Sequence, residues 1–249
     1  MRALIIAFAG KGGVGKSTIS SQLIRNLAKR ELVLAVDADP NSNLGEKLGL
    51  ETFGTIGGIR NELVANPDLV PSSVSKQEYI SNRVLQTLSE GENVDLLIMG
   101  RPEGEGCYCF VNDVLRHCFA DLLPRYKYAV VDNEAGMEHL SRKVLPNVDV
   151  LVFVSDPTIT GIRTAARLSD LADEVGIEVS RKILVINNIP SDNFSTLTDE
   201  AERLGMKEVV TISRDDSVID SAMRGELLDI PADSKFASSV AYLADLITG

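Results

Sequence analysis

The apolar run Leu4–Ala9 ends directly in Gly10-Lys11-Gly12-Gly13-Val14-Gly15-Lys16-Ser17, and a helical stripe follows at once. No other feature narrows so sharply what this chain can fold into. Glycines in such a loop let backbone N–H groups turn inward without a Cβ in the way, and the resulting nest of amides suits phosphate oxygens. The spacing G-x-x-x-x-G-K-[ST] is met by Gly10, Gly15, Lys16 and Ser17, between a predicted strand and a predicted helix, as the motif requires. The helix expected over Lys16–Arg30 would add the positive end of its dipole to the cradle. Its apolar residues Ile19, Leu23 and Leu27 fall at i, i+4 and i+8, one stripe for packing on a sheet. The residues expected to hold ATP are therefore Gly10, Gly12, Gly13, Val14, Gly15, Lys16, Ser17 and Thr18. Lys16 would bridge the β- and γ-phosphates, and the Ser17 hydroxyl would bind Mg²⁺.

Seven buried-strand candidates recur along the chain with helical stretches between them: Ala3–Ala9, Leu32–Asp37, Val94–Met99, Tyr128–Asp132, Val150–Ser155, Ile183–Asn187 and Glu208–Ile212. Most are rich in Val, Ile and Leu without polar alternation, the pattern of strands covered on both faces. Strand, glycine turn, helix, strand is the βαβ unit. Its repetition predicts an α/β fold, a doubly wound and mainly parallel sheet with helices on both faces. No internal repeat, low-complexity tract or interdomain linker is visible, so residues 1–249 are expected to form one domain. Thr52–Gly58 and Arg101–Gly106 read as irregular loops on the side where open α/β sheets gather ligands.

A net charge of −11 and a pI near 4.7 argue against a nonspecific nucleic-acid surface, because most of the protein would repel a phosphate backbone. No apolar run approaches the roughly 20 residues that span a bilayer. Leu4–Ala9 is too short for a signal-peptide core. The expected compartment is the cytoplasm, with no nucleic-acid or membrane partner. Three cysteines there do not suggest structural disulfides.

Lys11, directly after the first glycine, resembles the signature lysine of the deviant Walker A group, the MinD, ParA, ArsA and nitrogenase-iron-protein relatives. That resemblance implies a nucleotide-sandwiched homodimer in which Lys11 reaches the partner's nucleotide. It also implies roles for the acids at two strand ends. Asp39, in Val36-Asp37-Ala38-Asp39-Pro40, would position the attacking water, with Asp37 nearer the Mg²⁺ shell. Asp132, which closes Val130-Val131-Asp132, would hold Mg²⁺ through water, while Ala135 and Gly136 sense the γ-phosphate. The resemblance thus makes Lys11, Lys16, Asp39 and Asp132 the catalytic set. Without it, strand-end aspartates are also ordinary turn and capping residues. By similarity, Asn187 would contact adenine, and Ser213, Arg214 and Asp215 would lie along the base, although asparagine after a strand is also a common turn residue.

Cys107 and Cys109 supply two thiolates, whereas a structural soft-metal site wants four ligands. A two-fold axis would bring the same pair from a second chain and complete a Cys₄ site for zinc or a similar soft metal. Two incidental cysteines remain the alternative. His117 and Cys118 in the next helical stretch read as structural, and His139 as part of a switch-associated helix. Gly10–Thr18, Val36 to Pro40, Gly100-Arg101-Pro102-Glu103-Gly104 with Gly106-Cys107-Tyr108-Cys109, and Val131 to Arg142 together resemble the CooC-type ATPases, with the AcsF group very similar. The resemblance implies ATP-dependent insertion of nickel into apo carbon monoxide dehydrogenase or, for AcsF, service to acetyl-CoA synthase, with Cys107 and Cys109 binding Ni²⁺ or Zn²⁺ at the dimer interface. Two other classes stay open: a positioning switch like ParA or MinD, and an iron–sulfur electron donor like the nitrogenase iron protein.

Overall fold

The computed structural model describes residues 2–39, 43–100, 109–135, 147–190, 194–224 and 230–249. Its strands are β1 (Leu4–Gly10), β2 (Val33–Ala38), β3 (Ser89–Glu90), β4 (Val94–Ile98), β5 (Tyr128–Asn133), β6 (Val148–Ser155), β7 (Val179–Ile189) and β8 (Val209–Ser213). They form one sheet in the order β3-β4-β2-β5-β1-β6-β7-β8. Every pairing is parallel except the short edge pair of β3 with β4. β1 therefore lies at the centre, and the chain winds outward from it in both directions, the doubly wound arrangement expected from the βαβ repeats.

The helices are α1 (Lys16–Ala28), α2 (Leu44–Leu48), α3 (Ile56–Ala65), α4 (Lys76–Gln86), α5 (Cys109–Leu122), α6 (Ile159–Glu174), α7 (Ser195–Arg203), α8 (Asp216–Arg224) and α9 (Lys235–Thr248). They cover both faces because successive strand side chains alternate between them. On one face Ile6 and Phe8 of β1 pack with Ile19, Leu23 and Leu27 of α1 and with Val240 and Leu243 of α9. On the other, Ile5, Ala7 and Ala9 pack with Ile59 of α3, Phe119 of α5 and Ile162 of α6. A strand sealed on both sides reads as a continuous apolar run, which is why β1 was legible. Phe8 is wholly buried, so truncation to alanine should cost about 3–5 kcal/mol.

Three expectations need correction. The stretch Thr52–Gly58 is irregular only in its first half, since Ile56, Gly57 and Gly58 open α3. The Thr55 hydroxyl accepts the Gly58 amide at 2.9 Å, and the Gly57 amide donates to the Met99 carbonyl at 2.8 Å. Those two bonds offset a glycine penalty of about 1 kcal/mol per residue. β7 starts at Val179, ahead of the expected Ile183, because its polar residues are satisfied sideways. Arg181 pairs with Glu208, and the Lys182 amine donates to the Ser169 carbonyl and to Asp173. The two-residue strand β3 carries no periodic signal and was missed. No helix among the described residues is long and apolar enough to cross a membrane.

Candidate nucleotide site

The glycine loop joins the end of the central strand β1 to α1. Gly10 has φ +151°, and a Cβ there would lie 2.4 Å from the Val154 carbonyl oxygen of β6. Gly15, the residue before α1, has φ +98°, and its Cβ would meet the Asn187 side-chain nitrogen at 2.4 Å. Both positions exclude any side chain, so the loop is held against β6 and β7 by contact as well as by conformation. Gly15 offers no side-chain cap and the first turn of α1 holds no acid, so nothing in the helix competes for its amino-terminal N–H groups.

The Lys16 side chain folds back into this loop, donating to the carbonyls of Gly10 at 3.2 Å and Lys11 at 3.1 Å. Burial lowers the pKa of its amine, while Asp132, Asp39 and Glu134 pull it back up. Lys11 itself is exposed. Sheet register brings the acids together: Asp37 of β2 stands opposite Asp132 of β5, which stands opposite Phe8 of β1. Alternation puts both carboxylates on the α1 face, level with the start of the loop.

Asp37 and Asp132 are both buried, at 0% and 1% exposure, but their surroundings differ. The oxygens of Asp37 accept the amides of Asp39 and Leu44, each at 3.0 Å. Burial pushes its carboxyl up, and those amides counter part of the rise. Asp132 has a buried Oδ1 with no hydrogen-bond partner among the described residues. Burial pushes its carboxyl up to about 6; the Ser17 hydroxyl and Lys16 act against the rise, and Asp37 and Asp39 add to it. Next to it Asn133 donates to the Phe8 carbonyl at 2.8 Å, tying β5 to β1 at the point where their ladder ends.

Beside the loop lies a cavity of about 170 Å³. Asn187, Ser213 and Asp215 line it with Gly13, Gly15 and Thr18. The Asn187 amide donates to the Val14 carbonyl at 2.8 Å, so the side chain also braces the cradle. Arg214 is absent from the lining; its guanidinium turns to Asp216 at 3.0 Å. Asp215 accepts both the amide and the hydroxyl of Ser217 at the start of α8. Sequence reasoning missed Asp156, Asn188, Val218, Ile219 and Phe236, which also line the cavity. They come from distant elements, and no spacing rule connects them to the loop.

Cys107 and the stretch Arg101–Tyr108 lie outside the described residues, as do Gly136 and His139. Cys109 enters only as backbone, the first residue of α5. Farther along that helix, Cys118 lies 3.3 Å from the Ser81 hydroxyl of α4, half-buried in a helix–helix contact.

Residues 5–228 match the CobQ/CobB/MinD/ParA nucleotide binding domain. An ATP-binding protein of Methanocaldococcus jannaschii is 37% identical over 248 residues, 98% of each chain. The carbon monoxide dehydrogenase accessory protein CooC of Rhodospirillum rubrum is 32% identical over 188 residues, 70% of each chain. The MinD cell division protein of Aquifex aeolicus shares the fold with a TM-score of 0.72 at 21% identity, across 99% of this chain and 97% of that one. With a glycine cradle, a buried lysine and two strand-end carboxylates at one sheet edge, the chain belongs to the CobQ/CobB/MinD/ParA nucleotide-binding family of P-loop ATPases.

Proposed function

We propose that this chain is a cytoplasmic, ATP-driven metallochaperone that works as a nucleotide-sandwiched homodimer and inserts nickel into an apo carbon monoxide dehydrogenase. The observation that carries the hydrolytic half is the buried, unpartnered Oδ1 of Asp132 beside Lys16 and Ser17. The delivery half is supported by the Cys107/Cys109 pair and by the likeness to the Rhodospirillum accessory protein.

The loop amides and the amino-terminal N–H groups of α1 bind the phosphates. Lys16 gives up its two carbonyl partners for phosphate oxygens, which keeps its amine hydrogen-bonded throughout. Ser17 and Asp132 fit a hard, oxygen-seeking Mg²⁺, because Asp132 holds a buried acceptor with no internal donor. That ion would neutralise charge building on the phosphates. Asp37 spends its oxygens on the Asp39 and Leu44 amides and so orients Asp39, whose carboxylate holds the water proton at the attacking oxygen. Lys11, exposed at the rim, reaches a second copy. Asn187, Ser213 and Asp215 take the base. Ni²⁺ is cargo, held by Cys107 and Cys109 from both protomers.

The test is Cys107→Ser with ATP binding intact. Equilibrium dialysis should find one Ni²⁺ per wild-type dimer and none in the variant. One ion per dimer in the variant would move the cargo site elsewhere. Activation of apo carbon monoxide dehydrogenase by the loaded protein, against apo acetyl-CoA synthase in parallel, decides the client.

A further inference from the structure

The far end of α1 lines a second cavity, of about 730 Å³, to which the glycine loop contributes no lining residue. Gln22, Arg25 and Lys29 form one wall, and Leu48 and Leu50, at and beyond the end of α2, form another. Glu92, just before β4, is the acid on its rim. The volume falls within the range of small-molecule sites. It opens at the amino-terminal edge of the strands, away from Lys16 and Ser17.

Arg25 is the residue that demands an explanation. Its Nη2 donates to the Lys47 carbonyl at 2.7 Å, while Nε is buried with no partner. Among the described residues no carboxylate pairs with it, although the chain carries 36 acids to 25 Lys and Arg. A half-buried guanidinium without an anion is costly, and its fork suits a carboxylate or phosphate. Gln22 is only 9% exposed and its side chain makes no hydrogen bond among the described residues, so its side-chain amide is a second donor on the same wall. Lys29 sits one helical turn from Arg25 with its amine exposed, donating to the Asn26 side-chain Oδ1 at 3.3 Å.

We propose that this cavity binds a small organic anion, its carboxylate or phosphate head on Arg25, Gln22 and Lys29 and its apolar body on Leu48 and Leu50. The proposal stands independently of nickel delivery.

The test is ¹H–¹⁵N NMR on the full chain with the nucleotide site saturated by Mg·ADP, titrated at constant ionic strength with butyrate and, separately, with inorganic phosphate. Saturable shifts at the Gln22, Arg25 and Lys29 amides are expected with at least one probe, and which probe gives them names the head group. Arg25→Gln should weaken binding at least about tenfold, and Lys29→Gln by a few fold. If Arg25→Gln unfolds, Lys29→Gln together with Gln22→Leu decides. Linear, non-saturating shifts, shifts confined to Gly10–Ser17, or shifts indifferent to these variants would overturn the site.

Discussion

Two aspartates end neighbouring strands on the same face of one sheet, at the same level and equally buried, yet they are built for different work. At the β2 end, Asp37 has an internal donor for each oxygen and holds the turn that carries Asp39. At the β5 end, Asp132 keeps a buried oxygen with no donor among the described residues, next to Lys16 and Ser17. A buried carboxylate satisfied by amides stabilises its loop. An oxygen left without a donor costs folding free energy, and at Asp132 it is the one the proposed mechanism gives to Mg²⁺. Position in the sheet made the two look alike, and hydrogen bonding separates them.

Asp132→Asn should widen that contrast most. ATP turnover should fall by at least about two orders of magnitude, since the carboxylate proposed to hold Mg²⁺ at the reacting phosphates is lost. The nucleotide-free protein should melt at a higher temperature, because a buried charge has been removed. A variant that loses activity and melts lower would mean that Asp132 is structural after all.

The wild-type pH profile tests the same carboxylate. Its folded value of about 6 lies above the ordinary 3.8, so the folded protein holds this proton more tightly than the unfolded chain does. The carboxylate is therefore a net cost above about pH 6. That cost is relieved as pH falls from about 6 towards 4, on the order of 2–3 kcal/mol in all. Denaturant melts at pH 7 and pH 5 should show wild type gaining on Asp132→Asn at the lower pH. A constant difference between the two proteins would remove the buried-charge explanation. Asp37 shifts in the same direction, so the comparison with the variant, and not the wild-type slope alone, is the measurement.

Asp37→Asn should do the reverse of Asp132→Asn. Replacing one accepting oxygen with a donor turns an amide–amide contact repulsive, and stability should drop by roughly 1–3 kcal/mol in urea melts. Turnover should suffer less than in Asp132→Asn. Equal loss of turnover in both would put the two carboxylates in one role. The smallest effect is expected at the β7 end, where Asn187→Ala removes the bond to Val14. ATP affinity measured by calorimetry should weaken about tenfold or less, and the melting temperature should barely move.

How much of this was legible beforehand depended on range along the chain. The loop Gly10–Ser17 and its flanking strand and helix are contiguous, and glycine, lysine and serine at fixed offsets carry their chemistry with them. β1, β2, β4, β5 and β6 announced themselves because both faces are buried. α3 did not, since Gly57 and Gly58 argue for a loop and only the Thr55 cap and the Met99 carbonyl, across the sheet edge, make a helix there favourable. The polar start of β7 was illegible for the same reason: Glu208 and Ser169, which satisfy it, are distant in sequence.

The sequence by itself determined that this chain would cradle a phosphate at the end of a central parallel strand, because local conformation and amide geometry need no distant partner. Only the tertiary structure decided what surrounds the cradle. Register set Asp37 beside Asp132, and packing gave both oxygens of Asp37 an amide donor while leaving Oδ1 of Asp132 without one among the described residues. The fold also left Arg25 facing a cavity with no carboxylate paired to it among the described residues. These are facts about which remote groups meet in a low-dielectric interior, and no pattern of nearest neighbours in a chain encodes them directly.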